Sequence, residues 1–287
     1  MLELALALII FAAFIHAVWN FLTKRSSESL AFVWWMYSLG ALGYGLIVLP
    51  VTGIHLASAS VLPFIVSSVA EAGYVLTLIR GYGKGDLSLV YPISRGGAPI
   101  LTVMFAAVLG ERLPLLGLLG IFVSVAGVCF LTLSEISPAK GKLSILNRGS
   151  TWALICAVCI AVYSVSDNIV VVSTPPIIYI WWVFMGNTIL TLPFVWRSSR
   201  VRNNLSELRS NWRLIIVASL CSLFAYLAIL FALTLTSVSY VVTGRALSVL
   251  LAAVLGVLLL KEKFGKWRIL GAALMIFGLA IIQFFGS

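Results

Sequence analysis

Long apolar runs alternate with short polar stretches along the whole chain, and each run is about as long as a bilayer-spanning helix requires. Ten runs follow this pattern, at residues 3–22, 29–50, 60–81, 87–109, 114–134, 151–171, 177–196, 213–233, 236–259 and 268–285. A membrane β-barrel would instead show shorter segments of alternating polarity. The pattern therefore predicts an all-α integral membrane protein with ten transmembrane helices.

Composition supports a membrane protein and excludes a soluble enzyme, a nucleic-acid module and a disordered chain. Of the 287 residues, 62% are hydrophobic and 10% are charged, whereas a soluble domain has roughly 25% charged residues. The longest polar stretches, at 135–150 and 197–212, leave no room for a separate soluble domain. No Lys or Arg precedes the first apolar run, which is unlike a secretory signal, so we expect this run to remain as a span.

The distribution of basic residues predicts the orientation in the membrane. Of the 19 Lys and Arg residues, 16 belong to odd-numbered connections between spans, and only Arg112 belongs to an even-numbered one. Because cytoplasmic loops carry the excess of Lys and Arg, we expect cytoplasmic odd connections and both termini outside. The net charge of +10 is then explained by basic residues that set the orientation in the membrane and lie near anionic lipid. No nucleic-acid partner is expected.

The two halves of the chain resemble each other, which indicates a duplication. Four pairs of matching features occur in the same order: AVWN at 17–20 with AVYS at 161–164, FVWWMYSLG at 32–40 with YIWWVFMGN at 179–187, Tyr74 and Arg95 with Tyr226 and Arg245, and GERL at 110–113 with KEKF at 261–264. We assign one five-helix repeat to 1–138 and the other to 139–287. Because each repeat has an odd number of spans, the second must be inverted in the membrane. Inverted repeats around a midplane site are typical of secondary transporters.

The segment SLVYPISRGGAPILTVMFAAVLGERL at 88–113, the opening HAVWN at 16–20 and the KEKF echo resemble the EamA group of the drug/metabolite transporter superfamily. The resemblance covers essentially the whole chain. It implies a ten-helix basket around a central cavity, formed mainly by helices 1, 3, 4, 6, 8 and 9. It also implies secondary transport of small metabolites. We accordingly expect a multi-pass protein of the cell membrane, either plasma or inner membrane.

Three charged residues lie in the middle of predicted spans, where charge is costly and marks functional candidates. The carboxylate of Glu71, one turn from Tyr74, either binds an amine or exchanges a proton, or else pairs with Arg95 or a neighbouring helix. Arg95 and Arg245 occupy matching places in the two repeats. Facing one cavity, they would grip a carboxylate, phosphate or phosphonate in bidentate fashion. The alternative is that they brace helices through backbone carbonyls.

Further candidates fall into three groups, each with a plain structural alternative. The aromatic residues that could line the cavity and hold a cation, or only pack, are Trp19, Tyr74, Tyr163 and Tyr226. The candidates for proton coupling are Glu71, Asp167 and His16. Asp167 could instead mark the outer interface, and His16 could be a hydrogen-bonded structural residue. The hinge candidates, which could also serve packing alone, are Pro92, Gly96 and Gly97.

Enzyme motifs are missing from the sequence: there is no GxxxxGK[ST], HExxH or GxSxG. We therefore expect neither a pump driven by ATP nor an enzyme, and we expect no cofactor and no metal. Glu71 together with two arginines favours a small zwitterion, of amino acid or aminophosphonate type, moved by alternating access. The expected partners are this substrate, the lipid bilayer and a coupling proton. Transport of an organic or quaternary ammonium cation and the flipping of a lipid-linked molecule remain alternatives.

Overall fold

The computed structural model describes residues 2–26, 29–84, 87–133, 148–198, 201–251 and 266–285. Their main helices are α1 (Leu2–Arg25), α2 (Ser29–Thr52), α3 (Val61–Tyr82), α4 (Leu87–Val108), α5 (Leu115–Leu133), α6 (Arg148–Ser173), α7 (Pro176–Ser198), α8 (Val201–Leu233), α9 (Val238–Arg245) and α10 (Lys266–Phe285). A short 3₁₀ turn at Ser58–Ser60 precedes α3. After a turn at Ala246 the chain is helical again over 247–251. No β-strand occurs within these ranges.

Each predicted span overlaps one of these helices, so the all-α prediction is confirmed for the described residues. Five helices are long and apolar enough to cross a membrane: Leu30–Thr52, Ser58–Gly81, Gly149–Ser173, Pro176–Arg197 and Asn204–Leu233. Five shorter apolar helices accompany them: Glu3–Trp19, Ile93–Val108, Leu115–Phe130, Val238–Leu251 and Ile269–Phe285. The predicted end of the ninth span, 252–259, lies outside the described residues.

Contacts at the two ends of α3 show that it runs antiparallel to α6. At the start of α3, Ser60 Oγ lies 2.8 Å from Ser173 Oγ and 2.9 Å from Thr174 Oγ1, where α6 ends. At the end of α3, the guanidinium carbon of Arg80 lies 5.3 Å from the ring centroid of Trp152, near the start of α6. The connections after α2 and α6 therefore meet at one end of the bundle, as alternating spans require.

Helices α5 and α10 approach each other closely enough for their backbones to touch. A Cβ atom on Gly120 would lie 2.8 Å from the carbonyl oxygen of Gly278, and one on Gly127 would lie 2.6 Å from that of Gly271. Between these contacts, Ser124 Oγ donates a hydrogen bond of 3.4 Å to the carbonyl oxygen of Met275. The contacts progress in opposite directions along the two helices, which are therefore antiparallel. Small residues at such crossings are typical of helix pairs in membranes.

Helix α8 begins earlier than the apolar pattern predicts. We expected a polar stretch at 197–212 and a span at 213–233, but the helix already begins at Val201 and is interrupted only by the non-helical backbone of Asn211 (φ −121°, ψ 15°). At this kink the side-chain amide of Asn211 donates a 2.8 Å hydrogen bond to the buried carboxyl of Glu207. The hydropathy pattern does not predict the part of α8 that precedes Asn211, because the buried side of this part includes polar groups.

The packing of the helices defines a centre and two flanks. Helix α6 contacts α3, α4, α8 and α9, while α1 contacts α8 and α9. Helices α2 and α7 pack together against α3 and α8 on one flank, and the α5–α10 pair packs beside α9 on the other. Large apolar side chains such as Leu46, Val51 and Val108 point outwards and are 79–86% exposed, as lipid-facing residues would be. The central helices are the six that the family resemblance assigned to the cavity.

Candidate functional site

A buried cluster of charged side chains lies where these six helices meet. Glu71, Arg95, Asp167 and Arg245 come from α3, α4, α6 and α9, and each is at most 6% exposed. The Glu71 carboxyl interacts electrostatically with both Asp167 and Arg245. Groups of both charges are thus brought together although they lie far apart along the chain. With the tyrosines that connect them, these residues are called the central cluster below, which comprises Glu71, Tyr74, Arg95, Tyr163, Asp167, Tyr226 and Arg245.

Arg95 contacts residues of both α1 and α3. Its Nη2 atom donates a 3.0 Å hydrogen bond to the hydroxyl of Tyr74, and its guanidinium carbon lies 5.5 Å from the centroid of the Tyr74 ring. The same Nη2 atom lies 2.5 Å from Nε2 of His16. On the other side of that imidazole, Trp19 Nε1 lies 3.0 Å from His16 Nδ1. His16 therefore lies beside Arg95, and Trp19 lies beside His16.

Arg245 contacts two of the predicted tyrosines through their ring faces. Its guanidinium carbon lies 5.6 Å from the ring centroid of Tyr163 and 5.9 Å from that of Tyr226. The Tyr163 ring in turn lies 5.9 Å from the Tyr74 ring and 6.5 Å from the Tyr226 ring. The three tyrosines thus form a row, with Arg95 beside Tyr74 at one end and Arg245 beside Tyr163 and Tyr226. Both Tyr–Arg pairs that the comparison of the halves singled out are direct contacts.

Asp167 is held by three hydroxyl groups. Its Oδ1 atom accepts hydrogen bonds from Ser67, at 2.5 Å, and from Tyr179, at 2.7 Å. Its Oδ2 atom accepts one from Tyr226 at 2.5 Å. These bonds link α6 to α3, α7 and α8. Both oxygens of this buried carboxyl group therefore have hydrogen-bond donors, as is usual for buried polar groups, which favours a structural role for Asp167 over a place in the outer vestibule.

The carboxyl group of Glu71 receives far fewer hydrogen bonds than that of Asp167. The hydroxyl of Tyr37 donates to its Oε1 atom over a long 3.5 Å, and Oε2 has no hydrogen-bond partner among the described residues. Asn187 of α7 interacts with the Glu71 carboxyl. Neither the side-chain nitrogen nor the side-chain oxygen of Asn187, however, has the geometry of a hydrogen bond to another atom in the described part of the chain. The site therefore retains polar atoms that a ligand, a proton or a water molecule could satisfy.

The hinge candidates lie within an uninterrupted helix. Helix α4 continues from Leu87 to Val108, so Pro92 does not end it. A Cβ atom on Gly96 would lie 2.9 Å from Val128 Cγ1 of α5, and one on Gly97 would lie 3.3 Å from the Cβ atom of Ala157 of α6. In this conformation the two glycines allow close packing, and a hinge at this place stays a prediction.

Four residues of the site were not singled out from the sequence: Tyr37, Ser67, Tyr179 and Asn187. Ser67 precedes Glu71 by one helical turn, and helical spacing would have placed it on the same face. Tyr179 and Asn187 stand at the two ends of the segment YIWWVFMGN, which attracted attention only for its tryptophans. Hydroxyl and amide groups are common in spans, so their partners cannot be read from spacing alone.

A crevice lies between α1, α9 and α10. Apolar side chains such as Leu6, Ile9 and Ile282 line much of it, with Tyr240 and Gln283 among them. None of the predicted site residues lines this crevice. It is therefore separate from the central cluster.

Comparison with known sequences matches the second half of the chain to a known family. The sequence model of the EamA-like transporter family matches residues 147–284. The second half of the chain is therefore EamA-like in sequence. This family is part of the drug/metabolite transporter superfamily, and the match together with the apolar helices indicates a multi-pass membrane transporter of this type. The match covers the half that contributes Tyr163, Asp167, Tyr226 and Arg245.

The fold of the chain recurs among solved structures. One crystal structure aligns with a TM-score of 0.77 at 17% sequence identity, and the alignment covers 100% of this chain and 99% of the other. At this level of identity the likeness concerns the fold alone. No curated protein sequence matches the chain. The substrate must therefore be inferred from the central cluster itself.

Proposed function

We propose that this EamA-like protein is a secondary transporter of a small zwitterion, of amino acid or aminophosphonate type, bound at the central cluster. The proposal depends on one observation: a buried carboxylate that lacks hydrogen-bond donors occurs together with two buried arginines. Glu71 is 2% exposed and its Oε2 atom accepts no hydrogen bond from a described residue. Buried charges normally have their full set of partners. An ammonium group of the substrate would supply the missing donors.

The arginines provide the other end of the proposed site. Arg95 and Arg245 are 4% and 6% exposed and are linked through the row of tyrosines. Guanidinium groups match the planar geometry of carboxylate and phosphonate oxygens. Asp167 is already occupied by three hydroxyl donors. Glu71 is therefore the carboxylate that remains for a cationic group, and also the preferred place for a coupling proton.

Two buried arginines argue against a purely cationic substrate. Like charges held a few ångströms apart in a medium of low dielectric constant repel strongly, so an organic cation would be attracted by Glu71 and repelled by Arg245. An anionic group on the same molecule removes this conflict. The zwitterion is therefore preferred over the quaternary ammonium alternative.

Alternating access would follow from two inverted repeats that move against each other. The α5–α10 contact supports such a relation, because its partners are reciprocal. Gly120, Ser124 and Gly127 of α5 have the same spacing as Gly271, Met275 and Gly278 of α10. The first residue of each set meets the last residue of the other. Reciprocal contacts of this kind are expected around a two-fold axis.

Uptake into proteoliposomes tests the proposal. The panel contains 2-aminoethylphosphonate and β-alanine as zwitterions, ethylphosphonate and propionate as anions that lack the amine, and choline as a cation. We expect transport of at least one zwitterion and none of its deaminated analogue. Transport of choline alone would instead support the cation alternative. Transport of none of these compounds, with the protein folded and correctly inserted, would contradict the proposed substrate class.

A further inference from the structure

Two N–H donors face the imidazole of His16 from opposite sides. Trp19 Nε1 lies 3.0 Å from Nδ1, and Arg95 Nη2 lies 2.5 Å from Nε2. The indole nitrogen and the guanidinium group only donate hydrogen bonds, whereas a neutral imidazole has one donor and one acceptor nitrogen. Whatever else these side chains touch, one ring nitrogen of His16 therefore carries a proton that faces another donor.

The tautomer of His16 decides which of its two neighbours faces the proton on the ring. If Nδ1 accepts from Trp19, the proton is on Nε2 and points at Arg95. If Nε2 accepts from Arg95, the proton is on Nδ1 and points at the indole of Trp19. Protonating both nitrogens would place a donor against a donor on each side. An acceptor placed between His16 and one of these two neighbours removes the clash of donors.

We propose that the anionic end of the ligand, a carboxylate or phosphonate, inserts its oxygens between His16 and Arg95, and that Trp19 prepares His16 for it. The inference rests on the proposed function and deepens it by assigning the anion subsite. Trp19 holds Nδ1 as the acceptor, which leaves the Nε2 proton directed at the subsite. Arg95 and His16 Nε2–H then both donate to ligand oxygens.

Arg95 and not Trp19 is the neighbour that gives way. Trp19 is 4% exposed and lies on the same helix as His16, one turn away, so their contact is fixed by the α-helix. Arg95 reaches His16 from α4 through a long, rotatable side chain. A side chain of this kind can change its rotamer while the backbone stays in place. Trp19 is in this scheme a positioning residue, because it acts on the ligand through His16.

Nitrogen NMR of the imidazole rings tests the inference on the full-length protein. The chain has only two histidines, His16 and His55, so labelling with ¹⁵N-histidine gives two rings, and the exposed His55 is an internal control. We expect the Nε2–H tautomer at His16. Titration with ethylphosphonate or propionate should shift the His16 nitrogens and leave those of His55 unchanged. A His16 ring in the Nδ1–H form, or one that does not respond to either anion, would overturn the inference.

The variant Trp19→Phe separates the positioning role from simple packing. Without the indole N–H, His16 can take the Nδ1–H form and accept from Arg95, which closes the subsite. We expect this change of tautomer and a loss of affinity for ethylphosphonate of about tenfold. The matched control is Trp34→Phe, which also removes an indole hydrogen bond of 3.0 Å, here to the carbonyl oxygen of Thr188. Equal effects of both variants on affinity, or an unchanged tautomer in Trp19→Phe, would contradict the positioning role.

Two further arms separate this inference from the proposed function and from lipid. Titration is carried out in lipid-free detergent and repeated with phosphatidylglycerol, because a headgroup phosphate has the same oxygens. A response of His16 to the lipid alone would overturn a metabolite subsite. Zwitterion transport with an unresponsive His16 would remove this inference and leave the proposed function. If His16 responds to the anions but no zwitterion is transported, this inference stands and the proposed function is contradicted.

Discussion

Gly120 of α5 lies so close to Gly278 of α10 that a Cβ atom on either residue would stand within 3 Å of the other's carbonyl oxygen. The contact is between backbones, so neither partner can move aside as a flexible side chain would. The same close approach recurs between Gly127 and Gly271. The α5–α10 pair is therefore held by two glycine contacts that no other residue can replace without separating the helices.

The variant Gly120→Val is expected to destabilise the protein. The added side chain would overlap the α10 backbone, and overpacking of this kind costs about 1–3 kcal/mol. The matched control is Gly43→Val in α2, since a Cβ atom at Gly43 has no neighbour within 4 Å among the described residues. Thermal unfolding in detergent should show a lowered midpoint for the first variant only. Equal midpoints would mean that α5 and α10 are not packed as described.

Asp167→Leu should destabilise the protein more than Asp167→Asn. Leucine removes the acceptor of Ser67, Tyr179 and Tyr226, and a buried hydroxyl without a partner costs about 1–3 kcal/mol. Asparagine keeps one acceptor oxygen, and the hydroxyl of Tyr226 can turn to accept from its amide. Thermal unfolding of both variants measures the difference. If both variants were as stable as the wild type and only transport were lost, Asp167 would belong to the coupling machinery and not to the framework.

The orientation predicted from the basic residues can be tested by cysteine labelling in intact cells. The background is a variant with the four native cysteines replaced by alanine. We expect Ser206→Cys, at an exposed position of α8, to be protected from an impermeant maleimide, and Ala59→Cys, at an exposed position before α3, to react. Reaction at position 206 and protection at position 59 would reverse the orientation.

The positions of the helices could be predicted from sequence, because the bilayer requires each span to satisfy its own backbone in one apolar run. The inward orientation of Glu71, Arg95 and Arg245 could also be predicted, since charge facing lipid is costly. The early start of α8 could not, because the segment that begins at Val201 mixes polar and apolar groups. Its helical form depends on burial of groups such as Glu207 against the bundle.

The chemistry inside the cluster was only partly accessible from sequence. Spacing placed Tyr74 near Glu71, and the matching halves paired Tyr226 with Arg245, because both relations follow from helical geometry or repetition. The difference between the two carboxylates does not follow from either. Asp167 receives donors from Ser67 and from Tyr179, which come from other helices, and only tertiary packing brings them together.

A binding cycle between ligand and protein tests whether Glu71 receives the cationic end of a zwitterion. Calorimetric titration compares 2-aminoethylphosphonate with ethylphosphonate, in the wild type and in Glu71→Gln, which is close in shape and has no charge. We expect the wild type to bind the amine-bearing ligand about tenfold more tightly than its analogue, and Glu71→Gln to bind both alike. Glu71→Gln should unfold at the temperature of the wild type, because Oε2 has no hydrogen bond to lose within the described chain. An undiminished preference for the amine in Glu71→Gln would contradict the role of Glu71 and the zwitterion site built on it.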